Sequence, residues 1–305
     1  MRVSRVFALT ASLSVTAGSA FAASITDQFT SFWVLGDSLS AFVGEPGEDT
    51  TLRASDGPLW SEQIILDFED AGKTAESFAA GGATAGLDRD APLDLSGQVD
   101  LLLGETASFG DAPLVALWIG GNDIAAFQSG LDPATTFAAY TSALTDLISV
   151  GVTDFLLFEV PDVGFTSLLQ DFTPPPANPD DPTAAELASE AAAGLNTLFF
   201  DIAVAALPDF VDVTLIETFE LTRTAYEDPE FFGALATGPC VLPNIGQVAD
   251  CSTNSFWDPF HPTGLIHSYV ADEVRNAYLA PVPLPAAGWM LLAGLGGLAA
   301  FRRRG

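Results

Sequence analysis

Short apolar runs alternate with longer helix-like segments along most of the chain. The apolar runs predict buried strands at 31–36, 76–80, 114–119, 154–160 and 211–216. Apolar residues at helical spacing predict helices at 60–71, 133–150, 183–206 and 263–279. Asp132 is the expected N-cap of the second helix. This alternation predicts an α/β fold in which helices cover both faces of a parallel sheet.

Both ends of the sequence differ from this pattern. Residues 1–22 combine two early arginines, an apolar run and a small-x-small site, Ala20-Phe21-Ala22. This order is typical of a secretory signal peptide, and the alternative is an anchor that stays uncleaved. We therefore expect one folded domain at 24–280.

The last segment, 282–305, has three parts in order. A Val-Pro-Leu-Pro-Ala motif precedes an uncharged apolar run, and Arg302-Arg303-Arg304 follow it. The run is short for a membrane span, and the arginines favour the cytoplasmic side. The segment resembles a PEP-CTERM sorting signal of the VPLPA variant, which implies processing by a membrane-embedded, exosortase-like enzyme. A plain tail anchor is the alternative, and both place the folded domain outside the cytoplasmic membrane, at the cell envelope or surface or in the medium.

The charge distribution excludes some classes of partner. The chain has 10 basic and 40 acidic residues, for a net charge of −30. Five of the basic residues lie in the two terminal segments, whereas all of the acidic residues lie between them. Such a surface repels phosphate backbones and anionic headgroups, so we expect no nucleic-acid partner. Adaptation to high salt is a hypothesis that the same charge suggests.

The chain has two cysteines, Cys240 and Cys251, close together in a segment rich in Pro, Gly and Asn. In an exported protein such a pair indicates a disulfide. The alternative is a zinc site completed by His261 and His267, but the spacing fits no known zinc pattern.

Candidate chemistry follows several of the predicted strands. Ser38 comes directly after the first strand, where backbone N–H groups at the start of a helical turn could stabilise an oxyanion. The glycine pairs 81–82 and 120–121 follow two further strands, and Asn122 follows the second pair. Asp258 precedes His261 by three residues, which suits a carboxylate that orients an imidazole. Each of these signals is weak alone.

Together, the four motifs resemble the conserved blocks of the GDSL, or SGNH, hydrolases, lipase- and esterase-like branch. The blocks are Gly36-Asp37-Ser38-Leu39, the stretch 77–84, Gly120-Gly121-Asn122-Asp123 and Asp258-Pro259-Phe260-His261, in the family's order. Gln98-Val99 and the stretch 160–164 are smaller similarities, and Ser77 departs from the family's usual asparagine. The resemblance implies a three-layer α/β/α, flavodoxin-like fold with a five-stranded parallel sheet.

The resemblance also implies a role for each residue. Ser38 is the nucleophile, His261 the general base and then acid, and Asp258 the carboxylate that orients His261. The N–H groups of Ser38 and Gly82 and the side chain of Asn122 form the oxyanion hole. No metal and no other cofactor is expected. We expect Asp37 and Asp123 to hydrogen-bond their own loops, and His267 to pack or cap the last helix.

The expected function is hydrolysis of carboxylic esters through an acyl-serine intermediate. The substrate is a lipid, a short-chain ester or an acetylated glycan. The alternatives are a carbohydrate O-deacetylase, an acyltransferase acting on extracellular polysaccharide, and an inactive surface matrix protein. We expect segments 163–182 and 227–257 to shape the pocket. Six aromatic residues there either line an acyl site or only cover the sheet edge: Phe165, Phe172, Phe231, Phe232, Phe256 and Trp257.

Overall fold

A computed structural model describes residues 24–279, with the exception of residues 88, 90–92 and 107. Residues Ser24–Tyr278 form one compact unit. The expected signal peptide at 1–22 and the expected sorting signal at 282–305 lie outside the described residues.

The helices and strands follow each other in the expected α/β alternation. The strands are β1 (Ser31–Gly36), β2 (Phe42–Val43), β3 (Leu52–Arg53), β4 (Thr74–Ser77), β5 (Pro113–Trp118), β6 (Asp154–Phe158), β7 (Asp212–Ile216), β8 (Ala236–Pro239), β9 (Val241–Leu242), β10 (Gly246–Gln247) and β11 (Asn254–Phe256). The α-helices are α1 (Ile25–Gln28), α2 (Trp60–Asp70), α3 (Leu95–Glu105), α4 (Gly121–Phe127), α5 (Pro133–Ser149), α6 (Ser167–Asp171), α7 (Ala184–Asn196), α8 (Phe219–Glu227) and α9 (Gly264–Ala277).

Five strands form the central sheet, in the spatial order β4-β1-β5-β6-β7, and every pair is parallel. The chain runs outward from β1 to β4 and then returns to the other side of β1 at β5. In sheets of this kind, ligands bind beyond the carboxyl ends of the two strands at which the order reverses. The all-parallel pairing confirms the predicted fold class. The reversal of strand order places the expected ligand site at the carboxyl ends of β1 and β5.

The core has one layer on each face of the sheet. Alternate residues of β1 supply the two layers, with Trp33 and Leu35 on one face and Phe32 and Val34 on the other. Both sets are buried, as expected for a strand covered on both sides. The first face packs against α3, α5 and α7, and the second packs against α2 and α9.

The edge strand β4 begins two residues earlier than the predicted strand at 76–80. Its polar sequence Thr-Ala-Glu-Ser gives no apolar run, because an edge strand is partly exposed. Hydrogen bonding to β1 continues beyond its assigned end, since the N–H of Phe78 donates to Val34 O at 2.8 Å and that of Ala80 to Gly36 O at 3.0 Å. The other predicted strands agree within two residues.

The predicted helix at 183–206 is not uniform. Thr183 caps α7 by accepting from the N–H of Glu186, and the α-helix ends at Asn196. It continues as a π-helix at Thr197–Ala203 and a 3-10 turn at Val204–Ala206. Among the described residues, this is the one helical stretch with the length and composition of a membrane span. Its Ala188, Ala192, Leu195 and Phe199 pack into the core, so we assign it to the α/β domain.

Five of the described α-helices were not predicted: the short α1 and α6, and the longer α3, α4 and α8. Segment 227–257, in which the sequence predicted no strand, contains four short strands. Two of them, β8 and β11, pair in parallel outside the main sheet. This small ribbon leads directly into residues 258–261.

Candidate functional site

Ser38 lies in a tight turn that follows β1. Gly36 occupies the end of the strand with φ +149°, and a Cβ atom there would lie 2.3 Å from the carbonyl oxygen of Trp118. The buried amide of Gln98 holds both backbone groups of Gly36, because it accepts from its N–H and donates to its carbonyl, each at 2.8 Å. The position of Ser38 is therefore fixed by backbone contacts that only glycine permits.

Asp258 and His261 lie in a turn between β11 and α9. The Oδ1 atom of Asp258 accepts from the N–H groups of Phe260 and His261, at 2.8 and 2.7 Å. The N–H of Trp257 donates to the carbonyl of His261 at 2.8 Å and closes the turn. One oxygen of Asp258 thus holds the backbone, which leaves Oδ2 for the imidazole.

Ser38, His261 and Asp258 form a continuous chain of hydrogen bonds. The Ser38 Oγ atom lies 2.8 Å from His261 Nε2, and His261 Nδ1 lies 2.9 Å from Asp258 Oδ2. Burial raises the pKa of Asp258, but the hydrogen bonds and charge of His261 and the N–H of Phe260 outweigh burial, so the net pKa is below its usual value. An ionised Asp258 favours a proton on Nδ1 of His261, which leaves Nε2 free to accept from Ser38.

Gly82 and Asn122 lie in the loops after β4 and β5. The side-chain amide of Asn122 donates one hydrogen bond to Ala83 O at 2.9 Å, which ties the two loops together. An amide nitrogen has a second hydrogen, which this contact leaves available. Gly82 has φ +80°, and neither its N–H nor that of Ser38 donates to an acceptor among residues 24–279 as described. The two loops thus present free N–H donors at the same sheet edge as Ser38.

Asp37 hydrogen-bonds its own loop, as expected from the sequence, but that expectation is wrong for Asp123, whose carboxylate bonds the neighbouring loop after β4. Asp37 accepts from the N–H of Leu39 at 3.0 Å, and Asp123 accepts from the N–H groups of Ala85 and Gly86 at 2.8 and 2.9 Å. Burial raises the pKa of Asp37 to about 7, and burial also raises the pKa of Asp123. Neither carboxylate hydrogen-bonds His261 in the described structure.

A narrow, largely apolar pocket adjoins Ser38. Its lining residues come from the ends of β1 and β5, from the segment after β6, and from α8, β11 and α9: Asp37, Ser38, Leu39, Trp118, Gly121, Pro161, Val163, Thr166, Leu221, Thr222, Ala225, Phe256, Phe260, Pro262, Ile266, His267 and Val270. Of the six aromatic residues that the sequence offered for an acyl site, only Phe256 lines this pocket.

The other aromatic residues have different surroundings. Phe231 and Phe232 line a separate cleft with Tyr269. Phe165 packs beneath the guanidinium of Arg223, at 4.5 Å from its ring centroid. The two segments expected to shape the pocket contribute Val163, Thr166 and Phe256 to its lining, but Pro161 and α8 form walls that the sequence did not indicate.

His267 faces the same pocket from α9. It is fully buried, and neither of its ring nitrogens has a hydrogen-bond partner among the described residues. This burial agrees with the expected packing role, whereas the capping alternative is wrong because a capping imidazole would have a hydrogen-bond partner. Burial, with the charges of His261 and Arg53, lowers the pKa of His267 to about 3.

The two cysteines are joined as a disulfide, Cys240–Cys251. This removes both thiolates from the zinc alternative, which needed them as ligands. Within the described ranges, no group of three or more His, Cys, Asp or Glu side chains is arranged to hold a metal ion.

Comparison with known protein families gives a match over most of the domain. Residues 33–274 match the family described as GDSL-like lipase/acylhydrolase. The chain belongs to this family. GDSL-like lipases and acylhydrolases act on ester bonds, and the match includes Ser38, Gly82, Asn122, Asp258 and His261.

Individual relatives are distant. The chain is 23% identical to a phosphatidylcholine-sterol acyltransferase from Aeromonas hydrophila over 284 residues, which cover 73% of this chain and 79% of that protein. Among solved structures, it is similar to an acetylxylan esterase from Geobacillus stearothermophilus (12% identity, 82% and 94% of the two chains, TM-score 0.46). It is also similar to a carbohydrate acetylesterase from Sinorhizobium meliloti (18% identity, 80% and 97%, TM-score 0.44).

Proposed function

We propose that this GDSL-family protein hydrolyses carboxylic esters with Ser38 as the nucleophile, His261 as the general base and acid, and Asp258 as the carboxylate that orients His261. The observation that carries the proposal is the unbroken chain of hydrogen bonds from Ser38 Oγ through the imidazole to Asp258 Oδ2. This order of donors and acceptors is what an activated serine requires.

In the first step, His261 Nε2 takes the proton of Ser38 as Oγ attacks the ester carbonyl carbon. The carbonyl oxygen becomes an oxyanion, which accepts hydrogen bonds from the N–H groups of Ser38 and Gly82 and from the side chain of Asn122. Collapse breaks the bond to the alkoxy oxygen, which leaves with the proton from His261. The products are the free alcohol and an acyl group on Ser38.

In the second step, water attacks the acyl carbon and gives one proton to His261 Nε2. Collapse of the second oxyanion returns that proton to Ser38 Oγ and releases the carboxylic acid, which ionises at neutral pH. An alcohol in place of water would give acyl transfer to that alcohol by the same atoms. The name of the Aeromonas relative, an acyltransferase, supports keeping this second outcome as an alternative.

The apolar walls of the pocket support a preference for an aliphatic acyl group. The space beside Ser38 is narrow and has apolar walls, including Val163, Phe260 and Ile266. Because these walls are apolar, burial of an alkyl group against them is favourable. An O-deacetylase of extracellular polysaccharide therefore ranks second, and an inactive matrix protein third.

We also propose that the domain works outside the cytoplasmic membrane, after export and handling of its C-terminal segment by an exosortase-like enzyme. The signal-like segment 1–22 and the motif, apolar run and arginines of 282–305 support this location. The disulfide gives independent support, because disulfides persist in oxidising compartments.

Hydrolysis of p-nitrophenyl esters from acetate to decanoate tests the proposed activity. We expect Ser38→Ala to reduce kcat by about 10³-fold or more. Ser40→Ala is the matched control, since Ser40 lies in the same turn but its hydroxyl accepts from Trp60 Nε1 instead of contacting His261. Retention of most activity in Ser38→Ala would contradict the proposal, and a maximum at acetate would favour the deacetylase alternative.

A further inference from the structure

Of the buried polar side chains that line the pocket beside Ser38, one has no hydrogen-bond partner among the described residues. The hydroxyl of Thr166 donates to Val163 O at 2.7 Å, and Asp37 accepts from the N–H of Leu39. Ser38 is paired with His261. His267 is the exception, because both of its ring nitrogens lack a hydrogen-bond partner among the described residues.

His267 is held at this place by the helix on which it lies. Its neighbours on the same face of α9, Ile266 and Val270, also line the pocket and are buried. The ring is 1% exposed, so solvent outside the pocket does not reach its nitrogens. Because burial keeps the ring uncharged near neutral pH, it offers one N–H donor and one nitrogen acceptor.

An unpaired imidazole is an unfavourable component of an otherwise apolar wall, since buried polar groups are normally hydrogen-bonded. A ligand that brings a hydroxyl or keto oxygen to the ring removes this cost, whereas a plain alkyl chain does not. No Lys or Arg side chain is among the described residues that line the pocket, so nothing there compensates an ionised carboxylate. The pocket therefore favours a ligand whose aliphatic chain carries an uncharged oxygen.

We propose that His267 is a specificity-determining residue, and that the pocket binds acyl chains bearing a hydroxyl or keto oxygen, which hydrogen-bonds the His267 ring. The inference rests on the proposed function, because it takes the pocket beside Ser38 as the acyl site. His267 acts on the choice of acyl group and has no part in the transfer of protons to or from Ser38.

Paired methyl esters test this specificity. The set is methyl hexanoate, 3-hydroxyhexanoate, 3-oxohexanoate and 6-hydroxyhexanoate, with kcat/KM measured for the wild type, His267→Leu and His267→Gln. We expect the best oxygen-bearing ester to exceed hexanoate about tenfold or more in the wild type. The ratio of kcat/KM for the oxygen-bearing ester to kcat/KM for hexanoate should fall to about one in His267→Leu. It should be largely kept in His267→Gln, because glutamine retains a donor and an acceptor.

Equal kcat/KM for hexanoate and every oxygen-bearing ester in the wild type would overturn the inference. The same conclusion follows if the preference survives in His267→Leu. Equal values in the wild type would indicate that a bound water satisfies the ring, and a preference that survives in His267→Leu would indicate that another group recognises the oxygen. In one outcome, the wild type hydrolyses hexanoate and the oxygen-bearing esters equally well while Ser38→Ala hydrolyses none of them. That result would support the proposed function and contradict the inference about His267.

A binding measurement gives an outcome that does not depend on turnover. The chain contains only two histidines, so imidazole ¹⁵N spectra contain signals of His261 and His267 alone, and His267→Gln assigns them. In Ser38→Ala, we expect the preferred oxygen-bearing ester to shift the His267 nitrogens and methyl hexanoate to shift them much less. Identical responses to both esters would overturn the inference even if the protein hydrolyses no ester.

Discussion

Asp37 and Ser38 are neighbours in the chain, but their side chains make different contacts and have different roles. Ser38 Oγ contacts the imidazole of His261, whereas the carboxylate of Asp37 turns back to the N–H of Leu39 and shapes the turn. The two carboxylates nearest to the reaction also differ in their protonation. Asp258 has a lowered pKa and remains ionised, while burial raises the pKa of Asp37 to about 7.

The raised pKa of Asp37 predicts a specific pH dependence of stability. Between its usual pKa of 3.8 and about 7, the folded protein binds a proton at Asp37 that the unfolded chain has released. The contribution of Asp37 is therefore fully present below pH 3.8 and is lost as the pH rises to about 7. In Asp37→Asn this loss is absent, so the melting temperature of the variant relative to wild type should rise between pH 4.5 and 8.

The asparagine is a close test because its Oδ1 can still accept from Leu39. Asp111→Asn, on an exposed carboxylate, is a control that should show no such trend. A difference in melting temperature between Asp37→Asn and the wild type that stays constant over this pH range would show that folding does not raise the pKa of Asp37.

Sequence reasoning located most of the residues of the site but not their supporting contacts. The motifs placed Ser38, Gly82, Asn122, Asp258 and His261 at the ends of predicted strands or before a helix, and parallel topology brings those ends together. The bond from Gln98 to Gly36 could not be predicted, because it joins residues 62 positions apart through side-chain direction. The exposure of His267 to the pocket depends in the same way on how α9 packs.

At the scale of elements, the ribbon of β8 and β11 carries the turn with Asp258 and His261. The disulfide joins Cys240, directly after β8, to Cys251, just before β11. The N–H of Cys240 also donates to Phe256 O at 3.0 Å. The disulfide thus closes the hairpin of β9 and β10 against the ribbon.

Removing the disulfide should lower stability more than it lowers turnover. A closed loop of this size contributes up to about 3 kcal/mol in the chain-entropy account, which corresponds to a decrease of roughly 5–10 °C in the melting temperature. We expect this decrease in the double variant Cys240→Ser/Cys251→Ser, measured by calorimetry. The kcat should change little, because the backbone bonds of Asp258 hold the turn independently.

A reducing agent provides the control. It should lower the melting temperature of the wild type to that of the double variant and leave the variant unchanged. An unchanged wild type would mean that the bond is absent in solution or contributes no stability.

The sequence predicted the elements whose apolar pattern is regular. Local sequence features explain why the longer of the remaining helices were not predicted. α3 contains Gly97 and Gly104, which lower helix propensity, and α4 begins at Gly121 within a motif that looks like a glycine turn. α8 contains Thr222 and Thr224, which are weak helix formers. Packing against neighbouring elements stabilises these helices, and a single sequence does not contain that information.

At the scale of the whole molecule, the described domain has a large excess of negative charge. Its five basic residues are all engaged. Arg53, Arg89, Arg223 and Arg275 pair with carboxylates, and Lys73 donates to the carbonyls of Thr26 and Phe29. Most of the acidic side chains therefore have no cationic partner among residues 24–279 as described, and they repel one another at low ionic strength.

Salt should therefore stabilise the protein. Raising the NaCl concentration from about 10 mM to about 1 M shortens the Debye length from about 30 Å to about 3 Å, which screens this repulsion. We expect the melting temperature to rise by several degrees, and KCl to have the same effect as NaCl. A melting temperature that stays constant or falls with salt would contradict the hypothesis of salt adaptation.

The most direct test of the central claim is covalent labelling with a p-nitrophenyl alkylphosphonate, which reacts with an activated serine and releases p-nitrophenolate. We predict one phosphonyl group per chain, located on Ser38 by peptide mass spectrometry. The adduct should be absent in Ser38→Ala and form about 10²-fold more slowly or worse in His261→Ala. An adduct on another residue, or hydrolysis of esters by a protein whose Ser38 never reacts, would contradict the account.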